Sequence, residues 1–322
     1  MKQATFAGLA FDAKKKRTRR EVFLAEMDRV VPWARLVALI EPVYPKAGNG
    51  RQPMELESML RLYFMQQWYA LSDPAMEEAL YDMESMRRFA GIELGEDAVP
   101  DETTILNFRH LLERHRLTER LFAEVSALLD ERRLLLRSGT IVDATIIAAP
   151  SSTKNETQSR DPQMSQTKKG NTWYFGMKAH IGTDAKTGLV HTLATSTAAV
   201  HDANLLPELL HGEETVVYGD KGYGSHADRA LAQAAGIELK TMRRASRHRA
   251  LTERERARNR RIASIRSKVE FPFRVLKRQF GYLKVRYRGL AKNTAQLFTL
   301  FALVNLYLAR RLLLNPRDRC AQ

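Results

Sequence analysis

The chain has 322 residues, with 52 Lys and Arg against 37 Asp and Glu, a formal charge of +15 and a pI near 10.0. A hydrophobic share of 44% together with 17 Gly supplies a globular core, which excludes global disorder, and the basic balance excludes an acidic protein. The length suits two domains, and the single cysteine, Cys320, excludes an intrachain disulfide and a thiolate zinc cluster.

No apolar run precedes the basic segment Lys14 to Arg20, so no secretory signal is expected and a cytoplasmic location is. Residues 21–136 carry helical spacing. Met54, Leu56, Met59, Leu60, Leu62, Tyr63 and Phe64 form one stripe, and Asp73-Pro74 supplies an N-cap with proline at the first helical position. That helix is expected to run towards Phe89. Pro100-Asp101 opens another, with Ile105, Phe108, Leu111 and Leu112 on one side, continued by Leu117, Leu121, Val125 and Leu128.

The pattern changes at Ser138-Gly139. Thr140 to Ile147 is β-branched and mostly apolar, as a strand buried on both faces would be. Pro150 to Asn171, rich in Ser, Thr, Gln and Lys, is expected as a loop. Phe175 to His180 and Leu189 to Thr195 predict a hairpin, Thr215 to Tyr218 a strand, Asp228 to Ala235 a helix and Ile237 to Met242 a strand, with helix thereafter to about Leu314. Leu297 to Ala309 is apolar but short of the ~20 residues of a bilayer span, and is expected as a buried helix despite Asn305. This order predicts an α/β domain over residues 138–322 behind a helical domain over residues 1–137.

Charge is concentrated between Lys240 and Lys268, where twelve Lys and Arg face only Glu253 and Glu255. Thr252 to Arg261 has almost no apolar face for a membrane surface, so the expected partner is nucleic acid, with Arg258 and Arg261 as candidate contacts. Three carboxylates stand in unusual places. Asp143 interrupts the buried strand, where an unpaired charge is costly. Asp220 follows Val216-Val217-Tyr218-Gly219 and leads into Lys221-Gly222-Tyr223-Gly224, a strand end opening onto a glycine turn. Glu270 has Arg266 four residues before it and Lys277 seven after; on an uninterrupted helix these fall about 40° and 20° from it. Pro272 inside this stretch is expected to kink or restart the helix.

Each acid also has a purely structural reading: a salt bridge for Asp143, a turn for Asp220, an i,i+4 ion pair for Glu270 with Arg266. Together, in a basic domain, they suit a site for hard divalent cations. Mg²⁺ or Mn²⁺ takes oxygen ligands, and two ions about 3.5–4 Å apart can activate the attacking oxygen and stabilise the leaving one on a phosphodiester. Other devices are missing from the sequence: there is no H-E-x-x-H, no G-x-x-x-x-G-K-[ST] and no dinucleotide fingerprint. His201-Asp202, ahead of Asp220, is a candidate support for the metal site or a DNA contact. Trp173 and Tyr174 are expected to pack in the core at a strand start, with base stacking as the alternative.

Leu80-Tyr81-Asp82 through Gly91, Val99-Pro100-Asp101-Glu102-Thr103-Thr104, Val142-Asp143-Ala144-Thr145-Ile146, Val200-His201-Asp202, Gly219-Asp220-Lys221-Gly222-Tyr223 and Arg266 through Tyr282 resemble the bacterial insertion-sequence transposases of the family numbered five. Arg266, Glu270 and Lys277 fit that family's R-x3-E-x6-K signature, with Ala263 where related families carry tyrosine. The resemblance implies a ribonuclease-H-like mixed-sheet domain whose catalytic and metal-holding acids are Asp143, Asp220 and Glu270, with two divalent ions. It implies hydrolysis at the element end to free a 3′-OH, then attack of that hydroxyl on target DNA. Arg266 and Lys277 would hold phosphates, with Lys221, Arg258 and Arg261 as further DNA contacts. The helical domain would bind the inverted repeats, and the protein would act on double-stranded DNA as a dimer or larger assembly. A nuclease of the same fold, or a noncatalytic DNA-binding descendant, are the alternatives.

Overall fold

The computed structural model describes residues 11, 13–49, 52–154, 158–245 and 249–315; Arg247 of the basic run and Cys320 lie outside the described residues. The chain divides into two compact units, residues 1–117 with 309–322, and residues 118–308. This division assigns the last helix before the sheet to the second unit rather than to the helical run.

In the first unit, α1 (Arg19–Val30) starts on Thr18, whose hydroxyl accepts the Glu21 N–H while the Glu21 carboxylate accepts the Thr18 N–H. α2 (Trp33–Ile40), α3 (Leu56–Tyr69), α4 (Asp73–Asp82), α5 (Glu84–Ala90) and α6 (Glu102–Arg114) follow. α3 buries Met59, Leu60, Leu62, Tyr63, Phe64, Met65 and Trp68. A helix apolar on so many sides has to be central. Trp33 and Phe89 close around Phe64 and Trp68 with ring centroids 5.6 to 6.0 Å apart.

Two local features differ from expectation. Ser72, not Asp73, caps α4 by accepting the Ala75 N–H. Asp73 is drawn instead to Arg109 (2.9 Å) and Gln66 (2.8 Å), because a guanidinium as buried as that of Arg109 requires a carboxylate. The helix expected to reach Phe89 breaks at Met83, whose backbone is extended. Arg87 then satisfies the end of α4 by donating to the carbonyls of Leu80 and Tyr81 at 2.8 and 2.7 Å.

The second unit opens with α7 (Leu117–Glu131) and holds β1 (Thr140–Ala148), β2 (Ser165–Lys169), β3 (Thr172–Asp184), β4 (Val190–Thr197), β5 (Val216–Gly219), α8 (His226–Ala234) and β6 (Glu238–Thr241). α9 (Glu253–Arg266), α10 (Glu270–Arg274) and α11 (Leu290–Leu314) complete it, the last turns of α11 counting with the first unit. β1, β3 and β4 pair antiparallel, and β5 and β6 add in parallel on the other side of β1. The order β4-β3-β1-β5-β6 is the ribonuclease-H-like mixed sheet. One side of it packs Val142 and Val217 against Leu205, Leu206 and Leu209 of a 3₁₀ segment (Asp202–Leu209) and Ala232 of α8.

β2 lies inside the stretch expected as a loop, pairing with the start of β3 across Gly170 (φ 61°). Its all-polar sequence carries no period-two alternation to mark it. The same hairpin leaves Trp173 65% exposed, so the core role expected for it is overturned. α11 is longer than its 13-residue apolar run, beginning at Leu290 with Asn293 and Gln296 buried ahead of the run and Thr299 buried within it. By length and composition it could cross a membrane, yet 56% of its most apolar window is buried within the protein. Asn305, with no exposure, accepts the Val190 N–H (2.8 Å) and donates to the Val190 carbonyl (2.6 Å), satisfying β4 from the side.

Candidate active site

The register of β1 on β5 places Thr140 opposite Val217 and Ile141 opposite Tyr218. Two residues further along each chain stand Asp143 and Asp220. Parallel pairing therefore carries two acids, distant in sequence, to the same side of the sheet, Asp143 within β1 and Asp220 one residue past the end of β5. Asp143 Oδ1 accepts the Ala144 N–H at 2.9 Å, and Oδ2 lies 3.5 Å from Arg266 Nη2. Burial raises the Asp143 pKa above the ordinary carboxyl value; Arg266 opposes this, and Asp220 and Asp202 add to it.

Sterics explain the spelling Gly219-Asp220-Lys221-Gly222-Tyr223. A Cβ on Gly222 would stand 2.8 Å from Asp220 Oδ1, which accepts the Gly222 N–H, and a Cβ on Gly219 would stand 2.8 Å from the Tyr223 Cβ. The two glycines thus free the Asp220 carboxylate and let the Tyr223 ring fold back into the core. Tyr223 is 1% exposed, and its hydroxyl has no hydrogen-bond partner among the described residues. Burial pushes its pKa upward, and Asp202, Asp143 and Asp220 push it further.

Asp202 begins the 3₁₀ segment and pairs with Lys178 at 2.9 Å, with His180 Nδ1 4.0 Å away. His180 is wholly buried; Nε2 shares a 2.7 Å hydrogen bond with Ser196 Oγ, and Nδ1 has no partner among the described residues. Burial holds its pKa down to about 4, against the pull of Asp202. His201 parts from Asp202. Its ring is exposed, caps the segment by accepting the Ala203 N–H, and would stand 4.0 Å from a Cβ on Gly222.

The stretch carrying Arg266, Glu270 and Lys277 continues through Pro272 as a 3₁₀ turn (Ser267–Val269), α10 and a π turn (Val275–Gln279). A residue without an N–H tightens and widens the helix instead of ending it here. Both ends touch β1: Arg266 at Asp143, and Lys277, whose Nζ donates to Thr145 Oγ1 (2.6 Å) and the Ile146 carbonyl (2.9 Å). Burial, then the nearby Lys169, lowers the Lys277 pKa. Glu270 between them is exposed.

The sequence profile described as "Transposase DDE domain" matches residues 135–306, over half of the chain, and one described as a transposase domain matches residues 11–111. The chain belongs to the DDE transposase family. Among solved structures, a piggyBac transposase synaptic complex with hairpin DNA aligns with a TM-score of 0.45 at 9% identity, covering 94% of this chain and 77% of that one.

DDE transposases work with divalent metal. Asp143 and Asp220 fit a hard cation: both offer carboxylate oxygen, and the burial and neighbouring negative charge that raise the Asp143 pKa are what a divalent ion relieves. Glu270 is not gathered with them; among the described residues no three His, Cys, Asp or Glu side chains form a group that could hold an ion. Lys221 is exposed beside Asp220, Arg261 is exposed on α9, and Arg258 donates to the Thr241 carbonyl at 3.1 Å, tying α9 to the end of β6. Sequence reasoning passed over Tyr223, Lys178 and His180. The signal available for the last two was their alternation with the buried apolar Met177, Ala179 and Ile181 along β3.

Proposed function

We propose that this transposase is of the bacterial insertion-sequence five group, cutting DNA at the ends of its element and joining the freed 3′-OH to target DNA. Asp143, Asp220 and Glu270 are the proposed acids and two Mg²⁺ or Mn²⁺ ions the proposed cofactor. The observation that carries the reading is the parallel register that carries Asp143 and Asp220 to the same side of the sheet in a chain of the DDE family. Asp143 and Asp220 would hold the metal, with Glu270 as the third acid. Bound there, the ions supply Lewis acidity to the phosphodiester and make a protein nucleophile unnecessary.

The chain's own groups orient the substrate. Arg266 places a guanidinium beside Asp143, where the scissile phosphate would lie, and Lys221 extends from the same turn as Asp220. Lys277 is held on β1 and from there adds positive charge behind the acids. Residues 138–322 form the proposed catalytic part and residues 1–137 the part that binds the element ends; joining two ends requires a dimer or larger assembly on double-stranded DNA. His201 and Asp202 are the proposed supports around the acids.

The deciding experiment supplies a pre-cleaved end with a free 3′-OH, a target duplex and Mg²⁺. Covalent joining by the wild type, absent in Asp143→Asn and Asp220→Asn although both still bind the end, supports the reading. Cutting without joining would assign a nuclease of the same fold. End binding with neither reaction would leave a DNA-binding protein.

A further inference from the structure

Beyond Asp220, at the carboxyl ends of β5 and β6, a cavity of about 320 Å³ is lined by Lys221, Arg229, Arg243, Arg244, Arg249 and Glu255, with Thr241 at the end of β6. Five cations thus face one carboxylate. Glu255 cannot neutralise them, because its acceptors are fully used. Its Oε1 takes Arg243 Nη1 at 2.8 Å and Arg249 Nη2 at 3.0 Å, while Oε2 takes the N–H and hydroxyl of Thr252 at 3.0 and 3.2 Å. The remaining charge has no acid to meet it in this lining. Like charges gathered around one concavity repel unless an anion enters it.

The cavity is also pre-formed. Glu255 is buried at the start of α9 in a reciprocal cap with Thr252, and from there it fixes the directions of two guanidiniums. Arg229 is held by donation from Nε to the Gly224 carbonyl at 3.1 Å, which leaves its terminal nitrogens to the cavity. Groups oriented beforehand lose less entropy when a ligand binds. Arg243 and Glu255 also line a second cavity, of about 670 Å³, that continues past Arg254, Arg258 and Arg261. Two adjoining basic cavities exceed what one phosphate or one mononucleotide fills. A polymer of phosphates fits them.

We infer that this pair of cavities is a phosphodiester track that receives the DNA strand running on from the bond at Asp220. The inference rests on the transposase reading for the identity of the strand, not for the presence of the anion site. Arg229 and Arg244 are the discriminating residues, both exposed and neither paired with an acid among the described residues.

The test measures binding of a labelled duplex across a salt series by the full chain carrying Asp143→Asn, so that nothing is cut, with and without Arg229→Ala and Arg244→Ala. Each phosphate contact contributes about 0.9 to the slope of log K against log salt, so the double variant is expected to lose about 2 in slope and at least tenfold in affinity at fixed salt. Its melting temperature should stay at the parent value, and Arg244→Lys should restore the Arg244 share of the slope. Single methylphosphonate linkages next to the cleaved bond should weaken the parent and leave the double variant indifferent. An unchanged slope, or competition by inorganic phosphate or a mononucleotide as effective per phosphate as the duplex, would overturn the track. If no protein ever cuts but the double variant shows the expected loss, the catalytic reading fails and the track stands. If the otherwise wild-type enzyme cuts and the double variant binds like its parent, the track fails alone.

Discussion

Arg266 Nη2 stands 3.5 Å from Asp143 Oδ2, a guanidinium from the end of α9 set against a carboxylate at the middle of β1. The pairing is long for a charge-assisted bond, and Arg266 Nε, though buried, has no partner among the described residues. Arg266 therefore compensates Asp143 only in part, and burial still holds the Asp143 pKa above its ordinary 3.8.

An Asp with a raised folded-state pKa destabilises the protein when ionised. Asp143→Asn is expected to melt a few degrees higher than the wild type at pH 7 without metal. The difference should shrink as pH falls through the folded-state pKa towards 3.8, where the wild type takes up the proton that relieves it. Added Mg²⁺ should reverse the order by stabilising the wild type alone. Melting curves at two pH values, with and without Mg²⁺, check this; a variant less stable than the wild type in metal-free buffer would contradict it.

Tyr223 offers a second separation of stability from activity. A buried hydroxyl without a partner costs about 1–3 kcal/mol. Tyr223→Phe should consequently leave urea stability unchanged or raise it by about 1 kcal/mol. If the hydroxyl serves the acids around it, strand cutting should nevertheless fall by roughly tenfold or more, the size of one lost hydrogen bond to a charged group. A variant equally active and equally stable would assign the ring to packing alone.

His180 sets an acid limit on the fold. Its folded-state pKa of about 4 lies below the ordinary 6.5, so the unfolded chain binds a proton that the folded chain refuses. Stability is thus fully present above pH 6.5 and is lost as pH falls towards 4, by up to about 3 kcal/mol at 1.36 kcal/mol per pH unit. The drop in urea midpoint between pH 7 and pH 4.5 should shrink in His180→Gln, which keeps a donor for Ser196.

Sequence alone reached the sheet, because β-branched runs such as Thr140 to Ile147 have few other stable uses. It singled out Asp143 and Asp220 as candidates because an acid inside an apolar strand and an acid between a strand and a glycine turn both break a pattern. It could not reach β2, which has no apolar face, nor the break at Met83, which depends on Arg87 reaching back to two carbonyls. The phase of Glu270 against Lys277 was equally hidden, since a π turn changes the 3.6-residue repeat. The basic run was plain, but not that Glu255 within it gathers two arginines and leaves the others to a cavity.

Trp173 was expected inside and stands outside, 65% exposed on the β2–β3 hairpin with Lys168 Nζ 5.8 Å from its ring centre. So little burial means that Trp173→Ala should change folding stability by less than about 0.5 kcal/mol. An exposed indole flanked by lysines does suit an unpaired base, whose stacking on an aromatic ring contributes about 1–3 kcal/mol. Trp173→Ala is therefore expected to weaken binding to a duplex with a frayed end by roughly five- to a hundredfold, and binding to fully paired interior DNA hardly at all. Fluorescence of Trp173 gives a direct readout, in a protein with Trp33 and Trp68 replaced by Phe: stacking should quench it on adding the frayed duplex. Equal losses on both DNAs would reduce the hairpin's part to the charge of its lysines.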